Sequence, residues 1–305
     1  MSHSEHDPFL PPALASWHIL GAGAIGGLWA LRLAARGMPV TLLAHADPAA
    51  QRTLSLHDGA ALQQRAFPQC PPTAPGRIDN LLVASKAHLT QAALAPLLPQ
   101  LGSGTPVVLL QNGMGVDDRL CAERPDLCVL TAITSDGVFR RDRDTLVLAG
   151  RGETLLGAAR AQDESAARGV AAALGMSFAA DILRRRWHKL AVNCAINPLT
   201  ARYRCRNGEL LQKAESLAVM RAVCAEIAAV MQAEGLPATA ETLFGLACNT
   251  AAQTAANLSS LRADVEAGRD TEIRFLNGYV VARAARHGLA APANAALLAE
   301  ILALP

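Results

Sequence analysis

Aromatic residues make up only 4% of this 305-residue chain and charged residues only 18%, against 51% hydrophobic residues. So little charge with so much apolar content excludes an intrinsically disordered chain and suits a helix-rich globular one. An excess of charge of one sign is lacking too. The formal net charge of +2 excludes nucleic acid or an anionic membrane as the expected partner. The basic cluster Arg184-Arg185-Arg186 reads as a solvated helix start. The seven cysteines, at 70, 121, 128, 194, 205, 224 and 248, form no C-x-x-C pair and are odd in number. Neither a disulfide framework nor a zinc site is therefore expected, no metal is assigned, and a reducing cytoplasm fits. No apolar run approaches the roughly 18 residues that span a bilayer, so no membrane partner is expected. Residues 1–16 hold three prolines, Glu5 and Asp7 but no lysine or arginine. They lack the basic start of a secretory signal and read as an N-terminal extension.

What is present divides in two. From residue 17 short apolar runs alternate with helical patterns, predicting strands at 17–20, 39–44, 80–84, 106–110, 128–132 and 145–149. Near-continuous apolar strands separated by helices indicate a parallel sheet covered on both faces. After about residue 180 helices take over, around 183–197, 208–233, 238–266, 270–286 and 291–303. Apolar residues at 210, 214, 217, 220, 224, 227 and 231 make one helical face. Gly235 and Gly268 sit where helices would end, Asp270 and Pro292 where they would begin. The expected fold is α/β: an N-terminal Rossmann-type doubly wound parallel sheet over 17–181, then an all-helical domain over 182–305.

Gly21-Ala22-Gly23-Ala24-Ile25-Gly26 is a G-x-G-x-x-G run directly after a strand and at the mouth of a helix. The first glycine permits a tight turn, the second lets backbone amides approach a pyrophosphate, and the third lets helix and strand pack closely. The helix N-terminus then turns its unpaired N–H groups on the phosphates. Cofactor choice is read about 20 residues on, where an NAD enzyme places an acid for the ribose 2′-hydroxyl. Here the second strand runs into Ala44-His45-Ala46 with no acid before Asp47. His45, with Arg52 nearby in sequence, suits a 2′-phosphate instead. NADPH is expected, with NAD possible.

Lys189, Asn193 and Asn197 are spaced by four within RRRWHKLAVNCAINPLT at 184–200, so they form one polar stripe on a helix. The residues between them are apolar, which implies burial, and a buried polar stripe needs partners. Amides can hold the oxygens of a 2-oxo acid, and a lysine whose pKa is brought down by burial can protonate its carbonyl. Pro198 predicts a boundary or kink at Asn197.

The chain resembles the ketopantoate reductases (2-dehydropantoate 2-reductases) along nearly its whole length after residue 16. The segments that carry the resemblance are GAGAIGGLWALRLAARG at 21–37, SKAHLT at 85–90, QNGMGVDDRL at 111–120 and WHKLAVNCAINPLTA at 187–201. CRNGELL at 205–211, NLSSLRADVEAGRDTEIRFLNGYV at 257–280 and ARHGLAAPAN at 285–294 extend it. The resemblance implies Lys189 as general acid, Glu272 as an acid that contacts cofactor or substrate, and Asn112 as a residue lying between nicotinamide and substrate. It implies Asn193, Asn197, Asn207, Asn257 and Ser260 as substrate-binding residues. On the cofactor side it implies Lys86, and Gly137 joins that set. It also implies pantothenate biosynthesis as the setting and 182–305 as the substrate and dimer domain.

Family members often carry arginine at the position of His45, and histidine is a weaker anion ligand at neutral pH. Several of these residues also have plainer readings. Asn112-Gly113 and Asn207-Gly208 are ordinary turn dipeptides, Glu272 could complement a helix dipole, and Asn257 and Ser260, one helical turn apart, could face solvent. The alternatives are a reductase of another branched 2-oxo acid, or a non-catalytic NAD(P)-binding sensor on the same fold. The expected partner is a small-molecule 2-oxo acid, the oligomeric state monomer or homodimer.

Overall fold

The computed structural model describes residues 16–44, 50–59 and 62–304. Two compact units emerge: residues up to Gln111 with Val116–Ile182, and Asn112–Gly115 with Leu183–Pro305. Most of the N-terminal extension, and His45, lie outside the described residues.

In the first unit, β1 (Trp17–Leu20), β2 (Val40–Leu43), β3 (Gln51–His57) and β4 (Leu62–Cys70) come first in the chain. β5 (Asn80–Val83), β6 (Pro106–Leu109), β7 (Cys128–Thr134) and β8 (Gly137–Arg140) follow. β9 (Thr145–Gly150), β10 (Thr154–Ala158) and the short β11 (Ser177–Phe178) end the series. The helices of this unit are α1 (Ala24–Ala35), α2 (Ala87–Leu94), α3 (Val116–Glu123) and α4 (Glu164–Leu174). The described strands form one sheet in the order β11-β10-β7-β6-β5-β1-β2-β4-β3-β9-β8.

The centre, β7-β6-β5-β1-β2, is parallel throughout. Its alternate side chains serve opposite faces, as a pleated strand requires. Ile19, Leu42, Leu82, Val108 and Leu130 pack with α1 and α4 through Leu28, Leu33, Val170 and Leu174. Leu20, Leu43, Leu81, Val107 and Val129 pack with Leu94 of α2 and Leu120 of α3. The chain leaves β1 for β2 on one side and returns to β5 on the other. The switch point therefore lies where β1 and β5 end together, Leu20 beside Val83.

All six expected strands exist, but the sheet is parallel only in part. β4 runs antiparallel to β3, β8 to β9, and β10 to β7. The segment 145–149, expected within the parallel sheet, pairs instead with β3 and β8 near the far edge. β3, β4, β8, β10 and β11 were not expected. β4 exposes most of its residues and β8 buries none, so neither carries the apolar run that marks a covered strand.

The second unit holds α5 (Ile182–Arg202), α6 (Ala214–Ala233), α7 (Ala240–Gln253), α8 (Ser260–Glu266), α9 (Asn277–Arg286) and α10 (Pro292–Leu302). α5 buries Leu190, Ala191, Cys194, Ala195, Ile196 and Leu199 in the core that Met220, Cys224, Ile227 and Met231 of α6 complete. Two expectations fail here. Helix α5 runs through Pro198 to Arg202 rather than ending near Asn197. The stretch 238–266 is two helices, because Ser259 starts a new one: its hydroxyl accepts the Arg262 N–H at 3.1 Å.

Candidate active site

The first unit presents a phosphate cradle. Gly21 has φ +93°, and a Cβ there would stand 2.4 Å from the Ser85 backbone nitrogen. Only glycine lets the two turns at the switch point meet backbone to backbone. A Cβ on Gly26 would meet the Gly21 carbonyl at 2.2 Å, so α1 begins too close to the turn for any other residue. Nothing lies within 4 Å of a Cβ on Gly23, which leaves room above the turn. No side chain caps α1, and no acid stands in its first turn. The N–H groups of that first turn and their positive dipole end are thus available to an anion. Ala22, Ala24 and Ile25 complete the turn, each partly buried. A dinucleotide pyrophosphate fits this cradle.

Lys86 belongs to the same place. It precedes α2 directly after Ser85, whose hydroxyl bonds Thr90 Oγ1 at 2.9 Å. Gly137 does not. It starts β8 next to Asp136, and Asp136 is held by Arg32 in the last turn of α1, the opposite end from the glycine turn. Gly137 and the glycine turn therefore lie toward opposite ends of α1.

In the second unit, Lys189, Asn193 and Asn197 stand partly buried on α5, one turn apart. Burial lowers the Lys189 ammonium from an ordinary 10.5 to about 8, while the negative field of Glu272 opposes the fall. Glu272 opens a short 3-10 turn, Ile273–Phe275, and its carbonyl takes the Phe275 N–H at 2.8 Å. Asn112 is brought to that turn by its neighbours. The Met114 N–H donates to Phe275 O at 3.0 Å. Gly113 has φ +83°, and a Cβ on it would meet Phe275 O at 2.7 Å.

Asn207 is buried at the head of a 3-10 turn, Asn207–Gln212. Its amide donates to Thr254 Oγ1 at 2.9 Å, and its backbone N–H donates to Asn257 O at 3.2 Å. Its side-chain oxygen is buried without a hydrogen-bond partner among the described residues. Asn257 and Ser260 are both exposed. They do not share a helical turn: Asn257 lies in the break before α8, and Ser260 is the first residue of that helix.

A family model, "Ketopantoate reductase PanE/ApbA", matches residues 17–161, and "Ketopantoate reductase PanE/ApbA C terminal" matches 181–304. The chain belongs to the ketopantoate reductase family. It is 38% identical to a 2-dehydropantoate 2-reductase of Vibrio cholerae over 94% of this chain and 96% of that protein. It is 34% identical to one of Shigella flexneri over 92% and 91%. A ketopantoate reductase structure from Ralstonia eutropha superposes with TM-score 0.83 at 28% identity, covering 95% of this chain and 98% of that one. A D-mandelate dehydrogenase with NADH and anilino(oxo)acetate gives 0.85 at 20% identity over 94% and 97%, a likeness of fold alone.

Within this ketopantoate reductase fold, four residues escaped the sequence reading. Ser259, rather than exposed Ser260, is buried; it bonds Thr200 Oγ1 at 2.7 Å, and Thr200 donates to Asn197 O at 2.8 Å. Thr254 holds the Asn207 amide. Asn277, fully buried in α9, reaches the Cys194 carbonyl on α5 at 3.3 Å. Apart from the local Thr200–Asn197 bond, each contact joins residues more than 40 positions apart, and no local pattern announces it.

Proposed function

We propose that the protein reduces 2-dehydropantoate to pantoate with NADPH, with Lys189 as the general acid. The observation that carries this is the partly buried lysine of α5, brought to about 8 by burial in the field of Glu272. A lysine so placed gives up a proton near neutral pH, as a general acid must. Bound NADPH supplies a hydride to the C2 carbonyl carbon. Lys189 donates its proton to the carbonyl oxygen, completing the 2-hydroxy acid. Asn193, Asn197 and Asn207 offer amides for the carboxylate and hydroxyl of the substrate, and Asn257 and Ser260 serve the same end. Glu272 keeps the ammonium charged in its partly buried setting, and Asn112 orients the reacting carbonyl. Gly21–Gly26 and Lys86 would hold the dinucleotide, with His45 and Arg52 the residues that the sequence offers to its 2′-phosphate.

Small-molecule binding follows from this assignment, as does a place in pantothenate biosynthesis. Among the described residues no helix is long and apolar enough to cross a membrane. The seven free thiols suit a reducing compartment, and the cytoplasm is the proposed one.

The deciding experiment measures initial rates of ketopantoate reduction with NADPH and NADH for the wild type and Lys189→Ala. Turnover with NADPH that falls roughly 10²- to 10⁴-fold in the variant supports the assignment. Absence of wild-type turnover with either cofactor overturns the substrate, and near-normal turnover of the variant overturns the role of Lys189.

A further inference from the structure

Arg52 makes three hydrogen bonds inside the dinucleotide unit. Its Nε donates to Asp144 Oδ1 at 2.7 Å, one terminal nitrogen to Arg143 O at 2.5 Å, and the other to Ala22 O at 3.3 Å. Ala22 lies in the glycine turn itself. The side chain is only 12% exposed, while Asp144 is 47% exposed. A guanidinium has five N–H groups. Two of those on Arg52, one on each terminal nitrogen, therefore have no acceptor among the described residues.

The location is set by the sheet. Ala50 O accepts the Gln69 N–H, and Gln69 of β4 registers with Leu42, so β3 starts at the same end of the sheet as the C-terminal end of β2, with β4 between them. On the face that Arg52 shares, Leu54 reaches Gly27 within α1; two residues earlier, Arg52 reaches the turn that precedes this helix. The Arg52 guanidinium thus reaches the phosphate cradle from the β2 side of the sheet, the side on which dinucleotide folds read the adenosine ribose.

The hairpin opposite is built to stay in place. Asp142 Oδ1 accepts the N–H groups of both Asp144 and Thr145, at 2.9 and 2.8 Å. That local turn fixes the backbone on which Arg52 is anchored. The hairpin also carries Arg140, Arg141 and Arg143 on its exposed surface.

We propose that Arg52 is the residue that selects NADPH over NADH, by donating its two remaining N–H groups to the adenosine 2′-phosphate, with Asp144 limiting the strength of that contact. The inference rests on the dinucleotide reading of the glycine turn and goes beyond it by naming the discriminating pair. Asp144 has two opposed effects: it holds the guanidinium in place, and it offsets the positive charge that attracts the phosphate. Removing one member of the pair is therefore not equivalent to removing the other.

The test is calorimetric titration with two fragments, 2′,5′-ADP and 5′-AMP, on the wild type, Arg52→Gln, Arg52→Lys and Asp144→Asn, with thermal melts confirming that each is folded. Arg52→Gln is expected to weaken 2′,5′-ADP by roughly 10- to 100-fold, the worth of a charged hydrogen-bond pair, and to spare 5′-AMP. Arg52→Lys keeps the charge without the fork and falls between. Asp144→Asn leaves the cation uncompensated and tightens 2′,5′-ADP. Equal weakening of both fragments by Arg52→Gln and Asp144→Asn would make the pair a scaffold only and overturn the proposal. An unchanged fragment ratio in Arg52→Gln does the same while the dinucleotide reading stands. A wild type that binds neither fragment overturns that reading and this inference with it.

Discussion

The side-chain amide of Asn277 donates to the Cys194 carbonyl at 3.3 Å, and Cys194 is the residue whose helical partner would be the missing N–H of Pro198. A proline inside a helix leaves the carbonyl four residues earlier without its donor. In α5 that carbonyl lies one residue after Asn193, in the middle of the candidate polar stripe. A buried orphan there would cost about 1–3 kcal/mol, so the helix continues because α9 supplies the donor. Asn277 is itself held: its amide also donates to Asn294 Oδ1 at 3.0 Å, and Asn294 donates to Glu226 at 2.7 Å. Glu226 in turn takes the first N–H groups of α10, from Ala293 and Asn294.

This relationship predicts a compensating pair. Asn277→Ala should destabilise the protein by about 2 kcal/mol, since it empties a buried site and orphans the Cys194 carbonyl. Pro198→Ala restores a helical N–H to that carbonyl. In the Pro198→Ala background the Asn277→Ala penalty should shrink by about 1 kcal/mol, within the usual range for coupled neighbours. Urea unfolding of the four proteins measures it, and strictly additive losses would show that the two residues do not share an acceptor.

Lys189 as acid predicts a specific alkaline limb. The ammonium must carry its proton to react, and its pKa in the folded protein is about 8. The logarithm of kcat/KM should therefore be level below that value and fall as pH rises through it. Glu272 raises the lysine against the effect of burial. Glu272→Gln removes that support, so the limb should move to lower pH. A limb that stays put, or moves upward, would mean that Glu272 does not act on Lys189.

How much of this was legible beforehand depended on whether the cause was local. The glycine turn was readable because Gly21 and Gly26 answer to backbone crowding within a few residues. The Lys189–Asn193–Asn197 stripe was readable because a spacing of four is a property of one helix. Pro198 misled because its remedy, Asn277, lies 79 positions away in another helix. The break within 238–266 was not readable because Ser259 and Ser260 are adjacent, and either residue could have been the cap. β4 was missed because it is an exposed strand whose partners, β2 and β3, lie outside its own segment.

Gly113 offers a test of how Asn112 is positioned. Its φ of +83° and the 2.7 Å separation between a Cβ and Phe275 O both oppose any side chain. Gly113→Ala should push residues 112–115 off the Glu272–Phe275 turn, carrying Asn112 with them. Turnover is expected to fall about 100-fold, the scale of a displacement near 1 Å, with cofactor affinity unchanged. Unaltered kcat would show that Asn112 has no positional role.

Asp136 supplies a stability prediction far from the candidate chemistry. Its side chain is fully enclosed, and Arg32 grips both carboxylate oxygens, at 2.5 and 2.9 Å. The Gly152 N–H and the Thr134 hydroxyl add bonds at 3.0 and 2.9 Å. Burial alone would raise this carboxyl, but those four donors outweigh it and bring the group from 3.8 to about 2. Asn at this position has one acceptor oxygen and presents an NH₂ group to donors, so Asp136→Asn should cost about 3 kcal/mol at pH 7. The sign of the pH dependence follows from linkage. Between about 2 and 3.8 the unfolded chain binds the proton more readily than the native one, so acid favours unfolding. The contribution is complete above the upper value and is lost as pH falls through the lower one. Urea midpoints of wild type and Asp136→Asn should therefore differ fully at pH 5 and converge toward pH 2. A constant gap across that range would mean that the Asp136 charge does not contribute to anchoring α1 through Arg32.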